Sequence, residues 1–443
     1  MDRRSFLRAS ALSGLAFSAP WVFPSALRSA AAQAVTYGGP YWIIVHASGA
    51  WDPLFLFNPT ENTEHNRLYT GVGKSGSIPY APYALNLEQL QWGAGLGIEG
   101  HVRTPQQFLA RHGARLTVVN GIDTETNNHK GGVRTMACGQ LPVGYPALAA
   151  LIAATHAPQM PMTFFSGGGY DVTGGLVPLT RVANAQALSR IAYPNEVSAG
   201  QVETELYHSQ ATMARIQRYQ QERVASLHER QRLPALRKSM EALVAARAST
   251  AVLDQLSLPE ELVTLAPNEL NAQEGFMQSA QMLVAAFGSG LTSAGTIQMG
   301  GFDTHGNHDV NQTRRIVQLL GGLDYLIDEV ERAGLTDKVN IVVTSDFGRG
   351  PHYNSTGANG GKDHWPVTSM FALGPGVAGD RCIGGTDERE LAVAVDPTTL
   401  ELSDGGVTIG PGEVHRALRT LAGVDAALDA AYPLSAADLP LFG

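Results

Sequence analysis

The chain is poor in cysteine, with only Cys138 and Cys382 in 443 residues. Two thiols exclude a disulfide framework and argue against thiolate metal ligation, though they leave room for one disulfide in an oxidising compartment. Positive charge is also in deficit: 31 Lys and Arg stand against 40 Asp and Glu, for a net charge of −9. A broad nucleic-acid surface is therefore not expected. There is no internal repeat, no low-complexity tract and no structureless polar segment, so disorder or a solenoid is not the plan of the fold. The one apolar stretch near the start is interrupted by Pro20 and Pro24 and is not a permanent membrane span. What remains is a chain that is 44% hydrophobic, long enough for one large domain or two smaller ones with a sizeable core.

The N-terminus "MDRRSFLRAS" carries the pair Arg3-Arg4, followed by a weakly apolar stretch and the small-residue run "RSAAAQA". That order resembles a twin-arginine export signal over residues 1–34, with cleavage near Ala32 or Ala34. The resemblance implies export in the folded state, to the periplasm or beyond. Removal of the segment takes four Arg and one Asp and leaves a chain of about −12.

Six short apolar or β-branched runs, each bounded by Gly, Asp or Ser, read as strands: 40–48, 115–121, 160–168, 294–300, 338–345 and 367–374. Continuous apolar runs suit strands covered on both faces, as in a mainly parallel sheet. Helical patterns lie between them. The clearest is at 310–334, where Ile316, Leu319, Leu320, Leu323, Leu326, Ile327 and Val330 recur at helical spacing before Gly334. The alternation predicts a three-layer α/β/α sandwich spanning 35–430. Residues 199–285 are rich in Gln, Glu, Arg and Ala and read as a helical insertion, placed over the site or capping one face of the core.

The polar clusters fall at strand ends. Asp52 follows the first strand, "DTETNNHKGG" the second, "FDTHGNHD" the fourth and "SDFGRG" the fifth, and "GGKDHWP" precedes the sixth. Ligands bind outside the carboxyl ends of strands in open α/β sheets. Asp303, His305, His308, Asp346 and His364 supply the oxygen and nitrogen donors that a divalent cation accepts, and a cation relieves the repulsion of gathered carboxylates. Arg349 and Lys362 are candidates to stabilise an anionic substrate. His46 and Ser48 lack a G-x-S-x-G elbow and do not suggest a serine hydrolase. His415 reads as a helix-surface histidine.

The stretches "FDTHGNH", "SDFGRGPHYN" and "GGKDHW", together with the N-terminal signal, resemble the domain-of-unknown-function family 1501, twin-arginine-exported relatives of the alkaline phosphatase and sulfatase superfamily. The resemblance implies an alkaline-phosphatase-like fold and one or two divalent ions (zinc, manganese, calcium or iron). One ion would be held by Asp303, His305 or His308, and His364, and the other by Asp52 and Asp346. Phe347 stands where that superfamily has a histidine, and His129 would have to swing in to replace it. The expected nucleophile position falls in "TETNNHKGG", where Thr126 is the residue able to attack and a metal-bound water is the alternative. The implied function is an exported metal-dependent hydrolase acting on a small phosphate or sulfate ester. Its competitor is a non-catalytic periplasmic or surface module that keeps the fold, with or without one structural metal, and binds a protein partner through the helical insertion.

Overall fold

The computed structural model describes residues 37–85, 100–198, 204–234, 236, 237, 240, 241, 261–265 and 270–443. The expected export signal at 1–34 lies outside the described residues, as does part of the expected insertion. In chain order the strands are β1 (Tyr41–Ser48), β2 (Gly73–Ser75), β3 (Ile78–Tyr80), β4 (Leu116–Asp123), β5 (Phe164–Gly167), β6 (Leu179–Arg181), β7 (Ala294–Gly300), β8 (Val339–Ser345), β9 (Gly348–Tyr353), β10 (Lys362–Trp365), β11 (Val367–Leu373) and β12 (Arg381–Ile383). The helices used below are α1 (Pro105–His112), α2 (His129–Cys138), α3 (Leu148–His156), α4 (Ala185–Ala192), α5 (Gln210–Arg230), α6 (Asn271–Gly288), α7 (His308–Arg332) and α8 (Pro411–Leu421).

Eight strands form one sheet in the order β12-β4-β11-β8-β1-β7-β5-β6. All six strands expected from the sequence are in it. Only β11 runs against the rest, pairing antiparallel with both β4 and β8. The short edge strands β6 and β12, three residues each, carry too few residues to give a periodic signal.

Alternation along the strands builds the two cores. On β1, Ile43, Val45 and Ala47 join one cluster with Ile341 and Val343 of β8, Phe276 of α6 and Ile316 of α7. Trp42 and Ile44 point the other way and pack with Val342, Met370 and residues of α3 and α8. Both faces of the sheet are thus covered by helices, which gives the three-layer α/β/α sandwich.

The segment 199–285 is not uniform. Helix α5 has no buried residue, and Ser209 caps it by accepting from Thr212 N. Helix α6 is a core helix, with Phe276, Met277, Leu283 and Phe287 buried against the sheet. Residues 271–285 therefore belong to the body of the sandwich rather than to a separate helical unit. Cys138 and Cys382 are both free, the first at the end of α2 and the second on β12. No described helix is long and apolar enough to cross a membrane.

The register brings the functional loops to one edge. Ser48 of β1 pairs with Gly300 of β7, and Ala47 pairs with Ser345 of β8, so these three strands end side by side. Val367, the first residue of β11, lies opposite Asp123, the last of β4, at the same edge. Gly49 makes the approach possible. Its φ is +115°, and a Cβ there would stand 2.6 Å from Asp303 N.

Candidate metal centre

Asp303, on the loop after β7, is the hub of an open cluster. Its Oδ1 lies 3.0 Å from His305 Nε2, 3.3 Å from His364 Nε2 and 2.6 Å from Arg349 Nη2. Its Oδ2 lies 3.5 Å from His129 Nε2. Its side chain is 46% exposed, so the cluster faces solvent. Burial opposes ionisation of Asp303, but Arg349, His364 and His305 outweigh it and hold the carboxyl at about 2.

Each imidazole has its other nitrogen held by an oxygen. His129 Nδ1 stands 2.6 Å from Asp346 Oδ2, His364 Nδ1 2.7 Å from Asn127 O, and His305 Nδ1 3.1 Å from Asp363 Oδ1. An oxygen acceptor at Nδ1 assigns the proton there and leaves Nε2 with its lone pair. The three Nε2 atoms then converge on one carboxylate, and two of them, on His305 and His364, are only 3.0 Å apart. The Nε2 of His129 is buried without a hydrogen bond. Three lone pairs and an anion at these separations need a proton or a cation among them, and imidazole nitrogens with a carboxylate are a first-row divalent donor set. The residues present fit a metal ion.

Asp346, at the end of β8, is buried behind this cluster. It accepts from His129 and, at 3.3 Å, from Gly49 N, and His46 Nε2 lies 2.7 Å from its Oδ1 without hydrogen-bond alignment. Burial opposes its ionisation, but His46, His129 and Gly49 N outweigh it and keep its pKa low. His46 was missed in the sequence as a member of the site. Its signal was a histidine near the carboxyl end of a buried strand, and nothing local shows that β8 ends beside it. Phe347 does not leave a gap where a histidine was expected. Its fully buried ring packs on His129 at 4.9 Å and on His364 at 4.7 Å between centroids, fixing the planes of both.

Other expected site residues lie elsewhere. Asp52 is fully buried, and its Oδ2 accepts from Lys362 Nζ at 2.7 Å and from His308 Nε2 at 2.9 Å. His308 is also fully buried. The choice between His305 and His308 is thereby decided in favour of His305 as the histidine facing Asp303. Lys362, fully buried against Asp52, does not face an open substrate position. Arg349 is also sealed in: Nε donates to Ala50 O, Nη1 to Lys362 O, and Nη2 to Gly49 O and Asp303 Oδ1. Its donors are spent on the loops, so it braces Asp303 instead of binding an anion.

Thr126 lies on the turn before α2, where its hydroxyl accepts from Asn128 N. Asn128 caps that helix by accepting from Gly131 N. No hydrogen bond among the described residues ties Thr126 to Asp303 or Asp346. His415 is buried, not on a helix surface, and its Nε2 lies 3.0 Å from Met136 O.

Among the described residues, two groups bring ligand atoms within 4.8 Å of one another: His129, Asp303 and His364, and also His101, Asp324 and Asp328. The second group is already neutralised. Asp324 is fully buried and meets Arg111 Nη1 at 2.5 Å, His112 Nε2 at 2.7 Å and His101 Nδ1 at 2.8 Å. It ties α1 and the preceding loop to α7.

The sequence model of the family described as "Protein of unknown function (DUF1501)" matches residues 41–404. No curated protein matches the sequence. Among solved structures, the chain is similar to the lipoteichoic acid synthase LtaP from Listeria monocytogenes, with 9% identity over 88% of this chain and 73% of that one and a TM-score of 0.35. It is similar to the PsFucS1 sulfatase from Pseudoalteromonas sp., with 11% identity over 87% and 68% and a TM-score of 0.36. It is also similar to the alkaline phosphatase of the Antarctic bacterium TAB5, with 10% identity over 76% and 92% and a TM-score of 0.29. Similarity at this level leaves the functional argument to the residues.

Proposed function

The chain belongs to the DUF1501 family, and we propose that this member is an exported metal-dependent hydrolase acting on a phosphate or sulfate ester. The observation that carries the proposal is the convergence of the Nε2 atoms of His129, His305 and His364 on the Asp303 carboxylate. A divalent ion held there would polarise the ester oxygens and supply an activated water at neutral pH. Nitrogen-rich ligation favours zinc, manganese or iron over calcium, which prefers all-oxygen sites.

The protein's own groups prepare the site. Asp346 fixes the His129 ring through Nδ1, Asn127 O fixes His364, and Arg349 anchors the hub carboxylate. His129 is the first residue of α2, so the positive end of that helix opens beside the cluster and favours an anionic substrate. Arg349 and Lys362 are committed to internal partners, so charge on a transferring group would be met by an ion held at the cluster and by this helix terminus. Thr126 is the candidate nucleophile, and an activated water is the alternative.

Metal analysis of purified protein beside His364→Ala tests the centre, and a screen of phosphate and sulfate monoesters and diesters tests the reaction. Loss of turnover with metal retained in Thr126→Ala assigns the nucleophile; retained turnover assigns water. A second reading, a binding module for a periplasmic protein, is favoured by α5, which buries none of its residues. A metal-loaded wild type inert toward every ester would favour it. Export is tested by changing Arg3 and Arg4 to Lys: normal periplasmic yield of the double variant would overturn that part of the proposal.

A further inference from the structure

We propose that Asp52, His308 and Lys362 form a positioning triad in which the Lys362 ammonium acts as a built-in cation, locking together the loops that carry the metal cluster. The inference rests on the reading of that cluster as a metal centre. Three polar side chains, all completely buried, meet at one carboxylate oxygen. Asp52 Oδ1 accepts from Leu54 N at 3.0 Å, while Oδ2 accepts from Lys362 and His308. His308 is in turn fixed at Nδ1 by Thr304 Oγ1 at 2.8 Å. Around the ammonium stand the rings of Tyr353 and Phe55, 5.1 and 5.6 Å from Nζ.

Each member shares a local segment of the chain with a residue of the site. Asp52 lies on the loop after β1, whose strand carries His46. His308 opens α7, three residues after His305. Lys362 lies two residues before His364 on β10, and a bulge between them lets one side chain enter the core while the other stays open. The backbones are joined at the same place: His308 N donates to Gly360 O at 3.0 Å, and Lys362 N to Thr304 O at 3.2 Å. The approach is so close that a Cβ on Gly361 would lie 1.9 Å from His305 C.

Energetics point to geometry as the purpose. Burying an ion pair gains little over a well-packed apolar pair, because desolvation offsets the attraction. What the triad supplies is direction, since one oxygen with two charge-assisted donors fixes three segments at once. Groups that orient metal ligands from behind commonly change affinity by about ten- to a hundredfold.

The test uses the full chain and the variants Lys362→Met, Asp303→Ala and the double variant Asp52→Asn, Lys362→Met, the last because it removes both charges and orphans neither. Hydrogen exchange at residues 301–308 and 359–365, Zn²⁺ affinity by titration, and the melting temperature are measured on each. The expected result is faster exchange in these two segments, with Zn²⁺ binding at least about tenfold weaker in the Lys362 variants although every ligand is intact. If Lys362→Met does not fold, the double variant carries the same expectation. Unchanged exchange in the folded Lys362 variants overturns the triad whatever the metal result. Equal Zn²⁺ binding by wild type and Asp303→Ala overturns the cluster reading instead, so the two failures are told apart.

Discussion

The Nε2 atoms of His305 and His364 stand 3.0 Å apart, and Asp303 Oδ1 lies within 3.3 Å of both. Their Nδ1 atoms are occupied by Asp363 and Asn127 oxygens, so both lone pairs are directed at the same small volume. A cation shared between them would resolve the conflict and offer a partner to His129 Nε2, which is buried without a hydrogen bond.

Zn²⁺ is therefore expected to stabilise the wild type by about 2.7 kcal/mol at a hundredfold excess over Kd. His364→Ala should lose most of this while keeping its metal-free melting temperature within a few degrees. Because imidazoles must be neutral to ligate, the Zn²⁺ effect should weaken as the solution is acidified. Thermal melts with and without Zn²⁺ across pH check both points.

Phe347→Ala removes a ring packed on both His129 and His364. It should destabilise the fold by about 3 kcal/mol through the cavity left behind and also weaken Zn²⁺ binding, since the two imidazoles lose their backing. Phe347→His should not add a second ion if the ring's role is packing. Denaturant melts and metal content by mass spectrometry are the measurements.

Asp324→Ala separates the two acidic clusters. The carboxylate is fully buried among Arg111, His112 and His101, and its loss removes their shared buried partner, leaving Arg111 and His101 only Asp328, at a cost of about 3 kcal/mol. Metal content should not change. A fall in bound metal would show that the second group, rather than Asp303, holds an ion.

Glu390 gives the pH signature of the fold. Burial pushes its pKa from 4.5 up to about 7, partly offset by a hydrogen bond from Thr386. A raised folded pKa means stability that is full below about 4.5 and lost as pH rises through about 7. The native state holds a proton over that range that the unfolded chain has given up. Glu390 by itself takes away about 3 kcal/mol across this window, against the opposite contribution of buried His415, whose pKa is lowered to about 4, so Glu390→Gln, which keeps a neutral side chain, should gain stability relative to wild type as pH rises. Equal pH slopes in urea melts of the two proteins would rule the assignment out.

Apolar runs bounded by Gly and Asp were sufficient to locate six strands of the eight-stranded sheet and to predict helices on both faces. Burial on two sides leaves a continuous hydrophobic signature that survives without neighbours. The same local patterns put the chemistry-bearing residues at strand ends. Tertiary structure alone divided those residues between an open cluster and a sealed triad. Asp303 and Asp52 are both carboxylates just past a strand, yet one faces solvent and the other meets Lys362 from 310 residues away. Lys362 and His364 are two positions apart, and a bulge sends them to different environments. His46 acquired its partner Asp346 only because β1 and β8 pair in parallel with their ends aligned. Sequence records which side chains can carry charge or bind a cation. Which of them meet is set by register, bulges and close backbone approach, and these depend on strands far apart in the chain.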